Sequence, residues 1–306
     1  MPPRIQKMIS FSFSCSPVQI FPLTYKRFAF KFHAQFLEGE TETIWRWRMP
    51  RFWFGLSLLF FGSFALSQNP PASDPQALAL AAQSIAAMTG SGAVSDVTLN
   101  GTVTSIYGSD NETGSVTLLA KGTSESRINL SLNSGTRSDI RNSSSGFPQG
   151  AWIDKSGTSH LYAGQNCSTD SAWFFPIFSS FVAAVSNPNV VLSYVGQETL
   201  NGIAVQHLRS YVSASSQPLL QQLSTMDFYL NATSFLPMAI HFNVYADDNI
   251  GTSIPVVVNF ANYQAVNGVE IPFHIQRMFN GAVVLDTVIT NASLNSGLPD
   301  SLFNLQ

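Results

Sequence analysis

Cysteine is scarce in this chain. Among 306 residues it occurs only at Cys15 and Cys167, and Cys15 lies in an N-terminal segment that we expect to be absent from the mature protein. A single cysteine cannot form an internal disulfide, and exported domains without disulfides depend on a hydrophobic core for their stability. We therefore expect a core-stabilised domain and not a disulfide scaffold.

Charged residues are also few, at 11% of the chain, and they are unevenly distributed. Before residue 68 there are 8 Lys/Arg and 3 Asp/Glu, whereas from residue 68 onward there are 7 Lys/Arg and 15 Asp/Glu. The expected mature chain is therefore acidic. Nucleic-acid affinity comes mostly from cationic side chains that neutralise phosphates, so a nucleic-acid partner is excluded.

The chain lacks the motifs that identify common catalytic and cofactor sites. It contains no Gly-x-Ser-x-Gly nucleophile elbow, phosphate-binding loop or dinucleotide fingerprint. The histidines at 160, 207, 241 and 274 stand alone on separate predicted strands, so no pair has metal-ligand spacing. Cys167 has no activating neighbour in the sequence. We predict a protein that is not an enzyme and holds no metal or cofactor; a hydrolase site assembled from distant residues ranks last among the alternatives.

A long apolar run lies near the N-terminus. Residues 49–67 combine a short positive start, an apolar core of about a dozen residues and a small-residue exit ending at Ser67, as in a secretory signal peptide. We expect cleavage near Ser67 and a periplasmic or secreted product; a membrane anchor is the alternative, although a span needs roughly 20 residues. Residues 1–48 are interpreted as a disordered, non-native or mis-called extension, and 68–74 as a linker to a single domain over 75–306.

The expected domain is rich in period-two alternation of apolar and polar residues. A helix comes first, because Asp74 and Pro75 supply an N-cap and a first-turn proline before apolar residues at helical spacing over 76–88. From Val97 onward the alternation predicts strands separated by Gly- and Asn-rich turns that are too short for crossover helices. The predicted fold class is mainly β (α+β), with about eleven strands in one large curved antiparallel sheet or half-open β-barrel.

A strongly apolar segment interrupts the predicted strands at residues 170–185, DSAWFFPIFSSFVAAV. Pro176 predicts a turn and then a helix from about residue 176, and so apolar a segment either fills a core or closes a cavity. We expect a lid over an apolar ligand cavity. The predicted lid contacts are Trp173, Phe174, Phe178 and Phe181, and the predicted sheet contacts are Ile240, Phe242, Val258, Phe260, Phe273 and Ile275. The alternative is a structural or adhesive envelope protein with a solid core and no ligand.

Several motifs late in the chain resemble those of a known superfamily. They are Met226-Asp227-Phe228-Tyr229-Leu230 with Phe235-Leu236-Pro237, then Tyr263 with Val266-Asn267-Gly268-Val269-Glu270-Ile271-Pro272, and finally Asn291 with Leu298-Pro299-Asp300-Ser301-Leu302-Phe303. Together with the order of the predicted elements, they are similar to the periplasmic lipoprotein-carrier superfamily (LolA/LolB-like), especially its outer membrane lipoprotein-sorting members.

The resemblance implies a half-open β-barrel with helices as a lid and an apolar cavity that shields acyl chains in transit. It implies a monomeric, exported, non-enzymatic carrier whose partners are lipid or acylated lipoprotein and envelope membrane proteins. Typical carriers aim a basic residue at the lid, and no such residue is evident here, because every candidate has polar sequence neighbours. The candidates are Arg127, Arg137, Arg141, Arg209 and Arg277.

Overall fold

The computed structural model describes residues 72–90, 92–214 and 217–305. The extension at 1–48, the signal peptide at 49–67 and most of the linker at 68–74 lie outside these ranges, so these interpretations stay predictions. The α-helices within the described ranges are α1 (Pro75–Thr89), α2 (Ser180–Ala183) and α3 (Pro218–Ser224). The strands are β1 (Asp96–Tyr107), β2 (Asp110–Lys121), β3 (Glu125–Leu132), β4 (Gly135–Asn142), β5 (Gln149–Ile153), β6 (Ser159–Leu161), β7 (Val190–Leu200), β8 (Ile203–Val212), β9 (Met226–Asn231), β10 (Pro237–Ala246), β11 (Asn249–Val266), β12 (Val269–Phe279) and β13 (Ala282–Leu294).

Helix α1 forms where the capping residues predict it. The Asp74 carboxylate accepts a hydrogen bond from the Gln76 backbone N–H at 2.8 Å, Pro75 occupies the first turn, and Gly90 ends the helix with a positive φ of 57°. Its buried side, which includes Met88, packs against β7 and β12. The helix therefore covers apolar side chains on one side of the sheet.

All thirteen strands of the described chain belong to one antiparallel sheet, in the order β6-β5-β4-β3-β2-β1-β13-β12-β11-β10-β9-β8-β7. This confirms the predicted fold class, a mainly β protein with an open, curved antiparallel sheet. The sheet has thirteen strands, whereas about eleven were predicted.

The topology determines where the aromatic segment must lie. Strands β1 to β6 extend in order toward one edge of the sheet, and β13 back to β7 extend toward the other, so β6 and β7 form the two edges. The connection between them, residues 162–189, therefore joins opposite edges and carries the aromatic segment across the sheet. Its apolar residues belong to the same buried cluster as the strands. The sheet and this crossing connection together enclose the core.

The aromatic segment contains less helix than its sequence suggests. In place of a continuous helix from about residue 176, there is a 3-10 turn at Pro176–Phe178 and then the four-residue α2. Ser179 separates the two in an extended conformation, and its hydroxyl donates a hydrogen bond to the Pro176 carbonyl at 2.6 Å. In the described part of the chain, no helix is both long and apolar enough to cross a membrane.

The Asn-Gly pairs close hairpins as the sequence predicts. Asn267 and Gly268 join β11 to β12, and Asn280 and Gly281 join β12 to β13, all four with positive φ between 48° and 81°. Both central residues of such two-residue turns need positive φ, which asparagine and glycine tolerate best. The turns set the register of β11, β12 and β13.

Candidate ligand-binding face

The candidate site is the inner face of the sheet, defined here as the side covered by α1 and by the aromatic segment. Alternate residues of the strands point to this side and are apolar over most of its area. All six predicted sheet contacts belong to it, and each is at most 8% exposed. Phe242, Ile240 and their cross-strand partners Val256 and Val258 form a continuous apolar surface across β10 and β11. The structure thus places the predicted wall residues together.

The four predicted lid contacts lie directly over this wall. Phe181 is fully buried, and its ring lies 4.9 Å from that of Phe228 on β9. Phe178 makes an edge-to-face contact with Phe175, with ring centroids 5.0 Å apart. Trp173 and Phe174 are equally buried. The aromatic segment therefore packs into the same buried cluster as the wall.

Two surface pockets lie away from this interior. One lies between β1, β2 and β13, where it is lined by Thr102, Thr104 and Asp286. The other is lined by Asp227 and His241 on the opposite side of the sheet. Of the ten predicted ligand contacts, only Phe242 lines either pocket. A role of the ten residues in ligand binding therefore stays a prediction, and it requires the aromatic segment to move.

Arg277 corrects one prediction made from the sequence. Its chain neighbours Gln276 and Met278 face the other side of the sheet, and its cross-strand partners are Val258 and Leu285. The guanidinium lies between two aromatic rings, 4.5 Å from the centroid of Trp173 and 4.7 Å from that of Phe279. Contrary to the prediction, a basic residue does face the aromatic segment, from within an apolar wall.

The electrostatics at Arg277 are unusual for an arginine. Desolvation lowers its pKa, and the charges of Asp139 and Tyr162 offset this only in part. No salt bridge within the described residues includes Arg277. Arg277 is half-buried, and stacking between the two rings stabilises its guanidinium in this conformation.

The inner face becomes polar at β4. Arg141 is buried, its guanidinium stacks on the Tyr162 ring at 4.4 Å, and it donates a hydrogen bond to the Asn166 carbonyl. The Tyr162 hydroxyl donates to Asp139 at 2.9 Å. The Asn166 side chain in turn bonds the backbone of Tyr245 on β10 through both its oxygen, at 2.7 Å, and its nitrogen, at 2.8 Å. These contacts fix the start of the crossing connection to both halves of the sheet.

The outer face carries a cluster that sequence reasoning missed, because its members are far apart in the chain. His207 is 5% exposed, with Nδ1 2.7 Å from Glu198 and Nε2 2.9 Å from Asp227. Arg209 donates two hydrogen bonds to Asp227, at 2.7 and 3.1 Å. Burial lowers the pKa of His207, but the bonds to Asp227 and Glu198 outweigh it, so the pKa is raised. The isolated strand histidine expected here is instead held by two carboxylates.

Metal-ligating and nucleophilic groups do not converge in the described ranges. No cluster of three or more His, Cys, Asp or Glu side chains with the geometry of a metal site occurs among residues 72–90, 92–214 and 217–305. Burial raises the pKa of the Cys167 thiol, which keeps it in its less reactive protonated form.

Comparison with known proteins finds likeness among solved structures only. No protein-family model and no curated protein matches the chain. Similar solved structures include a domain described as an outer membrane lipoprotein-sorting protein from Vibrio parahaemolyticus, at 12% identity and a TM-score of 0.46 over 74% of this chain and 95% of that one. A DUF1329 family protein from Desulfovibrio piger has 12% identity and a TM-score of 0.49 over 77% and 100%. A LolA superfamily protein from Nitrosomonas europaea has 11% identity and a TM-score of 0.42 over 74% and 97%.

Structures named after the superfamily that the sequence resembles are thus among those similar to this chain. Two of the three structures carry names from the superfamily that the sequence resembles. At these identities and TM-scores the likeness is one of general architecture, and a role for this chain has to be argued from its own inner face.

Proposed function

We propose that this chain is an exported, non-enzymatic carrier or binding protein for the acyl chains of lipid or lipoprotein in the cell envelope. One observation carries the proposal. The connection between the edge strands β6 and β7 covers a large apolar face of the sheet, and its aromatic segment contains only short helical turns. Residues 49–67 would direct export, so the protein would be periplasmic or secreted. We propose that it acts as a monomer. The role agrees with the names of the lipoprotein-sorting and LolA superfamily structures.

Displacement of the aromatic segment would provide the binding space. Side-chain hydrogen bonds between the segment and the strands include Ser126 Oγ to the Ser171 carbonyl and Ser180 Oγ to Ser210 Oγ, both at 2.6 Å. Most of its other side chains are apolar members of the buried cluster. An acyl chain that replaces these side chains would bury its own surface, at roughly 0.8 kcal/mol per methylene. The exchange is favourable only where the displaced aromatic side chains stay buried against the acyl chain, because each one that becomes exposed costs about 1.5–3 kcal/mol.

A second candidate is a structural or adhesive envelope protein with a solid core. Its supporting observation is that all ten predicted contacts are at most 8% exposed and pack against one another in one cluster. The two candidates differ in whether the aromatic segment can leave the inner face while the sheet stays folded.

The test combines extraction with a matched pair of substitutions. Lipid is extracted from protein purified from the periplasm and identified by mass spectrometry, and binding of a fluorescent fatty acid is then titrated. Phe178→Asp places a charge in the buried segment, whereas Phe147→Asp makes the same change at a residue that is 76% exposed. We expect Phe178→Asp to weaken probe binding by at least tenfold, because burial of a carboxylate is unfavourable, and Phe147→Asp to have no effect.

Circular dichroism of both variants decides between the two candidates. An unchanged strand signal in Phe178→Asp, together with weaker binding, supports the carrier. Global unfolding of Phe178→Asp together with the absence of a saturable probe site in the unaltered protein supports the solid core. A carrier role fails if no lipid co-purifies and the probe finds no saturable site.

A further inference from the structure

Several buried polar atoms on the inner face have no hydrogen-bond partner among the described residues. Arg277 Nε on β12, Thr287 Oγ1 on β13, Ser105 Oγ on β1 and Arg141 Nε on β4 are all buried without a hydrogen-bond partner among the described residues. The nearest acceptor to Arg141 Nε is Asp139 Oδ1 at 3.6 Å, which is beyond hydrogen-bond distance. Each of the four groups can donate a hydrogen bond. An unpaired buried donor costs about 1–3 kcal/mol, and more when it is charged.

Three of these donors lie close together on neighbouring strands. Arg277 pairs with Leu285 on β13, and Leu285 pairs with Ser105 on β1. Two of the donors, Arg277 and Ser105, therefore lie in one row across the sheet, with Leu285 between them. Thr287 lies two residues beyond Leu285 on the same side. With adjacent strands about 4.8 Å apart, the row from Arg277 to Ser105 spans about 10 Å. One small group with several acceptor oxygens could therefore approach these donors together.

The charge at this place is also unbalanced. Arg277 forms no salt bridge within the described residues. The carboxylate whose charge acts on it, that of Asp139, is bonded to Tyr162 and also neighbours Arg141. The cross-strand partners of Arg277 on the inner face, Val258 and Leu285, are both apolar. An anion that approached the half-buried guanidinium would supply the counter-charge that no described residue provides through a salt bridge.

We propose that Arg277, Ser105 and Thr287 receive the anionic head group of an amphiphile, a carboxylate or a phosphate, whose acyl chain lies along the apolar inner face. The inference rests on the proposed carrier function and names the class of its ligand. In the conformation described, the Trp173 ring stacks on the guanidinium and shields it. Movement of the aromatic segment removes this ring, frees the planar fork of Arg277 for a bidentate contact and opens the apolar wall at the same time.

The experiment compares three ligands that share a twelve-carbon chain and differ in the head group. Dodecanoate, dodecyl phosphate and dodecan-1-ol compete at pH 8 for a bound fluorescent fatty acid, each below its micelle concentration. We expect the protein to bind at least one of the anions roughly ten- to a hundredfold more tightly than the alcohol, as a charge-assisted hydrogen bond would provide. A preference confined to dodecyl phosphate assigns a phosphate head group, and one confined to dodecanoate assigns a carboxylate.

Two substitutions and one control attribute the preference to its residue. Arg277→Gln should reduce the preference to near unity while alcohol binding persists, and Arg277→Lys should keep part of it. Arg209→Gln removes the same charge from the outer face, where Arg209 bonds Asp227, and should leave the preference unchanged. The comparison of ligands in the unaltered protein stands on its own if Arg277→Gln does not fold.

The outcomes separate this inference from the carrier function. Equal affinities for the anions and the alcohol overturn the inference and leave the carrier function intact. A full preference retained by Arg277→Gln also overturns it, because the charge is then recognised elsewhere. If the fluorescent fatty acid itself finds no saturable site, the carrier function fails and the inference fails with it. If the probe binds and none of the three ligands displaces it, the inference alone is overturned.

Discussion

Asp170 offers the sharpest test of how the aromatic segment is held. Its carboxylate accepts hydrogen bonds from the Ser180 backbone N–H at 2.9 Å and from the Ser180 hydroxyl at 3.4 Å, which links the start of the segment to α2. Burial raises the pKa of Asp170 from 3.8 to about 7, even though both bonds from Ser180 act in the opposite direction. The carboxyl group should therefore be protonated in the folded protein under mildly acidic conditions.

The consequence is a loss of stability as the pH rises. Between pH 4 and pH 7 the folded state keeps the Asp170 proton while the unfolded state releases it, so the free energy of unfolding must fall through this range. A shift from 3.8 to about 7 corresponds to about 4 kcal/mol. Above pH 7 both states are ionised at this residue, and the loss levels off. Asp170→Asn removes the titration and keeps an oxygen that can accept the bond from Ser180.

Urea denaturation at pH 4, 6 and 8, followed by tryptophan fluorescence, measures the effect. Relative to Asp170→Asn, the unaltered protein should lose about 4 kcal/mol between pH 4 and pH 8, and other titrating groups cancel in the difference. The same change at the exposed Asp248 serves as the control and should give a profile parallel to that of the unaltered protein. Parallel profiles for Asp170→Asn and the unaltered protein would refute the reasoning.

Two further predictions concern the sheet itself. Gly101→Ala should lower the free energy of unfolding by about 2 kcal/mol or more. The added Cβ would lie 2.2 Å from the Val288 carbonyl oxygen at the bulge between β1 and β13. An unchanged urea midpoint would contradict this. The bonds to Glu198 and Asp227 raise the pKa of His207 above its ordinary value of 6.5, so the protonated side chain stabilises the fold. This stabilisation is complete below pH 6.5 and is lost as the pH rises through the raised pKa. His207→Gln should remove it. Urea titrations from pH 6 to pH 9 should show the two proteins converging, and a constant difference would count against it.

Much of the fold could be predicted because the information is local. Asp74, Pro75 and Gly90 mark the ends of α1 through their own backbone preferences, and the Asn-Gly pairs at 267 and 280 require hairpin turns. Alternation with a period of two identified which side chains share a face within each strand. These features depend on residues within a few positions of one another, so the amino-acid sequence by itself determined them.

The candidate site was only half predictable for the same reason. The apolar residues of the wall and of the aromatic segment are evident from composition, and all ten lie in the buried cluster. Arg277 was misjudged because its chain neighbours, Gln276 and Met278, face the other side of the sheet, whereas the residues beside it in space come from β11 and β13. Ser105 and Thr287 gave no signal at all, since an unpaired hydroxyl is a property of its surroundings and not of its residue type.

Only the tertiary structure decided how the two halves of the sheet meet. Strands β1 and β13 pair between residues almost 200 positions apart, as in the contact of Val97 with Leu294, and no local pattern specifies such a partner. That single pairing leaves β6 and β7 at opposite edges and sends the aromatic segment across the inner face. Sequence periodicity therefore determined which residues are apolar and which face they share. The long-range pairing decided that they enclose an interior, and that Arg277 lies inside it.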